Sequence, residues 1–164
     1  MKTIKVQELT VENFAKYGAF GDMLNPSGPF LGAEPSVFYR DMVMLGLGPA
    51  NEAAFSVCRV TKSADVVTNI EYHKYTGEGI LPLDGDVNLV FAPATANGDV
   101  PFDRLEVFRA PKGTFVAIRP GVWHCGAFAR EGVVSVLIVL PQRTYANDCV
   151  VVRIPEGEQS GIGS

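Results

Sequence analysis

The chain holds two histidines, and each stands among residues able to bind a metal ion or move a proton. The first lies in Glu71-Tyr72-His73-Lys74-Tyr75-Thr76-Gly77-Glu78. Glu71 and His73 are two apart, so on a strand their side chains share a face. Glu78 follows a Thr-Gly turn that can fold it back beside them. The second histidine, His124, closes a stretch that runs from Gly113 through the alternating residues Thr114 to Ile118 into Arg119-Pro120-Gly121-Val122-Trp123. Two imidazoles and two carboxylates brought together carry excess negative charge, which must take up protons or find a cation. A divalent ion held by Glu71, His73, Glu78 and His124 would neutralise them, and this donor set suits Ni, Mn, Fe or Zn. The alternative is a metal-free pair of hydrogen-bonded histidines, with acid–base work left to Glu71 and His73.

Other residues have weaker claims. Arg59 could grip a substrate carboxylate through its guanidinium fork, or sit in a surface ion pair. Trp123 flanks His124 and could line a substrate site, although a lone Trp also serves core packing. Strand alternation turns Tyr72 and Lys74 away from His73. The three cysteines, Cys58, Cys125 and Cys149, read as small buried hydrophobes.

The elements that must position these groups are short strands. Beta-rich runs separated by turn residues cover 54–61, 65–75, 79–83, 87–93, 105–110, 114–118, 133–140 and 149–154. Asp84-Gly85-Asp86, Asn97-Gly98-Asp99 and Pro111-Lys112-Gly113 supply the turns. Eight short strands at close spacing imply a sandwich or barrel. Ahead of them, Thr10 can cap one short helix that Gly18 would end. From Gly18 to Pro49 the chain is broken by eight further Gly and Pro residues between those two and reads as an irregular arm, with a strand near 37–45. Residues 1–156 form one domain, and 157–164 lack core material and are expected to fray.

Composition narrows the partners. Of 164 residues, 47% are apolar and 20% charged, enough apolar material for a packed core. The net charge of −4 argues against nucleic acid or an anionic membrane, which call for a basic face. The longest apolar stretch, Val133 to Leu140, is too short to span a bilayer, which needs about 20 residues. No signal-peptide core opens the sequence, and three unpaired cysteines fit a reducing cytoplasm.

The two histidine stretches resemble the paired motifs of the cupin superfamily, H-x-H-x(3,4)-E-x(6)-G and G-x(5)-P-x-G-x(2)-H-x(3)-N. Glu71 takes the first His position, and His73, Glu78 and Gly85 keep the remaining spacing. Gly113, Gly121 and His124 fit the second motif, 28 positions beyond Gly85, while Arg119 and Phe128 stand for its Pro and Asn. A narrower resemblance, over residues 5–156, is to the ureidoglycolate lyase family. It is carried by Phe14-x-x-Tyr17-Gly18, Ser56-Val57-Cys58-Arg59, Glu71-x-His73, Val122-Trp123-His124, Asn147-Asp148-Cys149 and Ile154-Pro155-Glu156. The chain departs from that pattern at Glu78 (Gln in a relative), at Cys125 (a second His) and at Arg119-Pro120-Gly121.

What the resemblance implies is an all-β cupin-type barrel, a double-stranded β-helix or jelly roll, bearing a short N-terminal helix. It implies a metal-dependent carbon–nitrogen lyase that releases glyoxylate and urea, in allantoin degradation and so in purine catabolism. The catalytic residues would be Glu78, His73 and His124, with Glu78 as base. Arg59 and Trp123 would bind a small anionic substrate, and the assembly would be a homodimer. The departures leave room for a cupin isomerase, dioxygenase or hydrolase on another small organic acid, or for a non-catalytic metabolite-binding cupin.

Overall fold

The computed structural model describes residues 1–163. The strands, in chain order, are β1 (Lys2–Ile4), β2 (Val6–Glu8), β3 (Gly18–Asp22), β4 (Phe30–Ala33), β5 (Ser36–Tyr39), β6 (Ala53–Thr61), β7 (Val66–Val67), β8 (Asn69–Tyr72) and β9 (Glu78–Pro82). They continue with β10 (Val87–Ala92), β11 (Glu106–Ala110), β12 (Thr114–Ile118), β13 (Trp123–His124), β14 (Phe128–Ala129), β15 (Val133–Pro141), β16 (Val150–Arg153) and β17 (Ser160–Ile162). Two one-turn helices, α1 (Val11–Phe14) and α2 (Thr144–Asn147), interrupt them. Among the described residues, no helix is long and apolar enough to cross a membrane.

Two large sheets face each other. One runs β16-β8-β13-β10-β11-β2, with β14 also on β10; the other runs β3-β12-β9-β15-β6. Alternation sorts the side chains of β10 into two cores: Val87, Leu89 and Phe91 point between the sheets, while Val90 and Ala92 point to the other side. The inner core is rich in aromatic rings, with Tyr17 stacked on Phe91 and Phe14 edge-on to Phe91 and Phe108. The outer core, around Ile70, Val107 and Trp123, holds Ile154 and Ile162 as well. This is the all-β jelly roll that the sequence implies.

Seven of the eight expected strands are present with ends shifted by a few residues, while 65–75 divides into β7 and β8, which belong to different sheets. Thr10 caps α1 as expected, in a box where Asn13 N–H donates to the Thr10 hydroxyl (3.2 Å) and Thr10 N–H donates to the Asn13 side-chain oxygen (2.9 Å). The helix is shorter than its capping signals suggested, because Gly18 opens β3 instead of ending a longer helix.

Two expectations are corrected. The arm is not wholly irregular: β4 and β5 pair as an antiparallel hairpin, Phe30 against Tyr39 through Ala33 against Ser36. The tail does not fray between 157 and 163, and residue 164 lies outside the described residues. Ser160–Ile162 pair in parallel with β1 and antiparallel with β7, and both Ser160 and Ile162 are buried. Ile162 caps the outer core, a role no periodicity in so short and Gly-rich a segment reveals.

Candidate metal centre

The sorting of side chains into two cores fixes which residues meet. On β8, Ile70 joins the outer core together with Tyr72, so Glu71, and His73 just beyond the strand, face inward. On β13, Trp123 joins the outer core and His124 faces inward, directly opposite Glu71 in an antiparallel pair. Glu78 starts β9 on the facing sheet, paired with Ile118. Gly121 holds a positive φ of 81° that a residue with a side chain rarely adopts, and its N–H donates to the His73 carbonyl at 2.7 Å. That turn ties the two histidine segments together.

All four groups converge. The Nε2 atoms of His73 and His124 lie 3.1 and 2.8 Å from Oε2 of Glu78, and the two rings are 5.1 Å apart. Glu71 Oε1 stands 3.9 Å from His124 Nε2. His73, His124 and Glu78 are buried, whereas the Glu71 side chain keeps 31% of its exposure and marks the way to solvent.

The backbone sets the tautomers. Nδ1 of His73 donates to the Asp148 carbonyl at 2.6 Å, and Nδ1 of His124 donates to the Val122 carbonyl at 2.9 Å. Both Nε2 atoms are thereby turned to the centre, as in metal-bound imidazoles. Despite its short distance to Glu78, Nε2 of His124 lies outside hydrogen-bonding geometry and has no partner, which is unusual for a buried polar atom. The ligand atoms of Glu71, His73 and His124 lie within 4.8 Å of one another. Bonds of roughly 2.1 Å place opposed ligand atoms about 4.2 Å apart, so a small side-chain shift would close this set on a divalent ion. An orphaned, inward nitrogen and an N,N,O donor set therefore fit a transition metal.

The charges tell the same story. Burial pushes the Glu78 carboxyl up, but the imidazoles of His124 and His73 outweigh it and hold the group down at about 2. Burial pushes His124 down, and the charge of Glu78 outweighs that and raises it. In the absence of metal, a proton on the imidazole neutralises Glu78.

Two expected substrate-binding residues lie elsewhere. Arg59 pairs with Ser135, and β6 and β15 place it five residues beyond Ala54, the position level with Glu78. That is roughly 16 Å along the strand. Its side chain shares the outer face with the exposed Phe55 and Val57, and its charge is felt by Asp84. Within one chain it does not reach the centre. Trp123 is fully buried in the outer core, 4.6 Å from the Tyr72 ring, with its indole N–H donating to the Thr95 hydroxyl at 3.3 Å. Alternation excludes it from the inner face that His124 occupies. Arg119 donates to the Ala15 carbonyl at 2.6 Å and anchors the end of α1.

Sequence reading missed two residues beside the centre. The Cys149 thiol donates to Glu71 Oε2 at 3.3 Å, and burial with the adjacent Glu71 pushes it up to about 12. Asp148 receives His73 through its carbonyl. Cys125 is buried as expected, but Cys58 is exposed on β6.

The family model described as ureidoglycolate lyase matches residues 1–160. A ureidoglycolate lyase from Rhodobacter capsulatus is 29% identical over 142 residues, spanning 82% of this chain and 87% of its own. A relative from Agrobacterium fabrum is 26% identical over 127 residues, spanning 76% of this chain and 74% of its own. Among solved structures, dTDP-6-deoxy-D-glucose-3,5-epimerase from Legionella pneumophila superposes with a TM-score of 0.50 over 79% of this chain and 72% of its own, at 14% identity. That likeness speaks for the fold alone. The family match runs over nearly the whole length, and on that ground the chain belongs to the ureidoglycolate lyase family.

Proposed function

We propose that the chain cleaves ureidoglycolate to glyoxylate and urea at the Glu71–His73–Glu78–His124 centre. The observation that carries this reading is the convergence of two outward-tethered imidazoles on the buried Glu78 carboxylate. Ureidoglycolate bears a carboxylate, a hydroxyl and a urea nitrogen on one carbon. Releasing urea requires the hydroxyl to lose a proton, a C=O bond to form, the C–N bond to break and the leaving nitrogen to gain a proton.

A divalent transition ion held by Glu71, His73 and His124, with Glu78 beside it, would supply Lewis acidity that makes the substrate hydroxyl easier to deprotonate. Glu78, held as a carboxylate, takes the hydroxyl proton and returns it to the leaving nitrogen. Its burial keeps that proton from exchanging with bulk water. Held through Nδ1–H by the backbone and through Nε2 by the ion, His73 and His124 would have no free nitrogen to compete for the proton. General acid–base help of this kind is worth about 10²–10⁴-fold.

Glyoxylate and urea release by purified protein, followed in coupled assays against the spontaneous rate, tests the reading; no rate above the spontaneous one removes it. The position of Arg59 favours a second reading, in which the same centre acts on another small organic acid whose carboxylate needs no guanidinium partner. A panel of such acids separates the two. We further propose that the protein works in the cytoplasm as a homodimer. The exposed Phe55 and Val57 on β6, and Phe30, Leu31 and Phe38 on the β4–β5 hairpin, support the pairing.

A further inference from the structure

We infer that Asp148 is the positioning residue of the metal centre: it sets the His73 tautomer and fixes the loop that spaces His73 from Glu78. The inference rests on the centre proposed above but concerns its geometry, not the reaction. Four contacts carry it. The Asp148 carbonyl accepts from His73 Nδ1 at 2.6 Å, while its carboxylate accepts from three successive amides, Lys74 (2.8 Å), Tyr75 (2.9 Å) and Thr76 (3.2 Å). One residue thus holds the imidazole that starts the loop and the backbone that follows it.

Asp148 is itself fixed, since its N–H donates to the Thr144 carbonyl at 2.8 Å and closes the turn of α2. Cys149 then directs its thiol to Glu71, so two consecutive residues touch two members of the centre from outside it. The loop needs such a tether. It borders a cavity of about 330 Å³ lined by Leu47, Pro49, Tyr75, Thr76 and Asp148 itself, among others, so part of its surface lacks packing partners. A further backbone bond, from Gly77 N–H to the Gly46 carbonyl at 2.9 Å, holds the loop just before Glu78. The Asp148 carboxylate is engaged by three amides and is not among the groups whose ligand atoms gather at the centre, so Asp148 acts through His73 and not as a ligand. Outer partners of this kind cost 10–100-fold in metal affinity when removed.

The test compares wild-type protein with Asp148→Ala and Asp148→Asn in the metal-free form and on titration with Zn²⁺ alone. Imidazole ¹⁵N shifts report the His73 tautomer directly. Asp148→Ala keeps the carbonyl that accepts from His73 Nδ1 but frees the three loop amides, so it should leave a single His73 tautomer and weaken Zn²⁺ binding about 10–100-fold. Asp148→Asn keeps one acceptor oxygen of two and should weaken Zn²⁺ binding by less than the alanine variant but measurably, so it serves if that variant fails to fold. Asp84→Ala, which removes a comparable carboxylate–amide bond to Ser135 far from the centre, should leave both readouts unchanged. Wild-type Zn²⁺ affinity in Asp148→Ala, or in Asp148→Asn if the alanine variant fails to fold, or two His73 tautomers in folded wild-type protein, would overturn the inference. A wild-type protein that releases no urea, yet shows these shifts, would refute the lyase reading and leave the positioning role standing.

Discussion

Replacing Glu78 by Gln keeps shape and burial while removing the charge that pairs with His124. In the folded protein Glu78 is lowered from its ordinary 4.5 to about 2, which at about 1.36 kcal/mol per pH unit favours the carboxylate by about 3 kcal/mol. A depressed carboxyl stabilises the fold above 4.5, and this contribution is lost as pH falls from there through about 2. His124 is raised above 6.5, so its contribution is complete below 6.5 and is lost as pH climbs through the raised value. The pair therefore stabilises metal-free protein most between 4.5 and 6.5. At pH 6 Glu78→Gln should cost about 3 kcal/mol, or about 6–12 °C in Tm for a chain of this size. At pH 3 the cost should shrink to about 1 kcal/mol, and it should shrink again in the alkaline range. Denaturant unfolding of chelator-treated wild type and variant across this pH range measures the difference. A difference that does not change with pH would mean that Glu78 and His124 are not an ion pair, and the account of the centre would fail with it.

Protein purified without chelator should carry up to one divalent transition ion per chain. His73→Ala and His124→Ala should each empty it while β-rich circular dichroism persists; no metal by elemental analysis, together with no Tm response to Ni, Mn or Zn, would refute the donor set. Arg59→Ala should leave kcat/KM within about threefold, because the residue sits at the far end of its sheet, and a roughly tenfold rise in KM would contradict that placement. Trp123→Phe should lower stability by about 1–2 kcal/mol through the lost indole bond and ring contact, with kcat unchanged; a large fall in kcat would return Trp123 to the substrate site. Phe55→Asp combined with Val57→Asp should shift sedimentation from dimer to monomer, and a wild-type monomer at micromolar concentration would remove the dimer.

The strands and all four residues of the centre were legible because their signals are local. Glu71 and His73 share a face by a two-residue spacing, and His124 follows a turn whose Pro-Gly pair is visible in the text. Glu78 was legible as a neighbour, and its position on the facing sheet agrees. What sequence could not give is information held in register. Arg59 looks like a carboxylate grip from its type alone, and only the pairing of β6 with β15 reveals how far along the strand it lies. Trp123 and His124 are adjacent, so whichever faces the centre excludes the other, and type does not say which. Asp148 stands 75 residues from His73, and its role resides in backbone bonds that leave no periodic trace. The segment around Ile162 is too short and too rich in Gly to announce a buried strand.

That last strand has a consequence for how the molecule comes into being. Its partner β1 is made first on the ribosome, and β17 nearly the whole chain later. Until residues 160–162 are added, the outer core around Ile70, Val107 and Trp123 lacks Ile162. Contacts so remote in sequence form late, since closing so large a loop is entropically costly before the contact repays it. Pairings nearer in sequence, such as β10 with β11, can form ahead of them. Synthesis and folding are thus staggered: the centre is shaped inside a scaffold whose outer seam is sewn shut last.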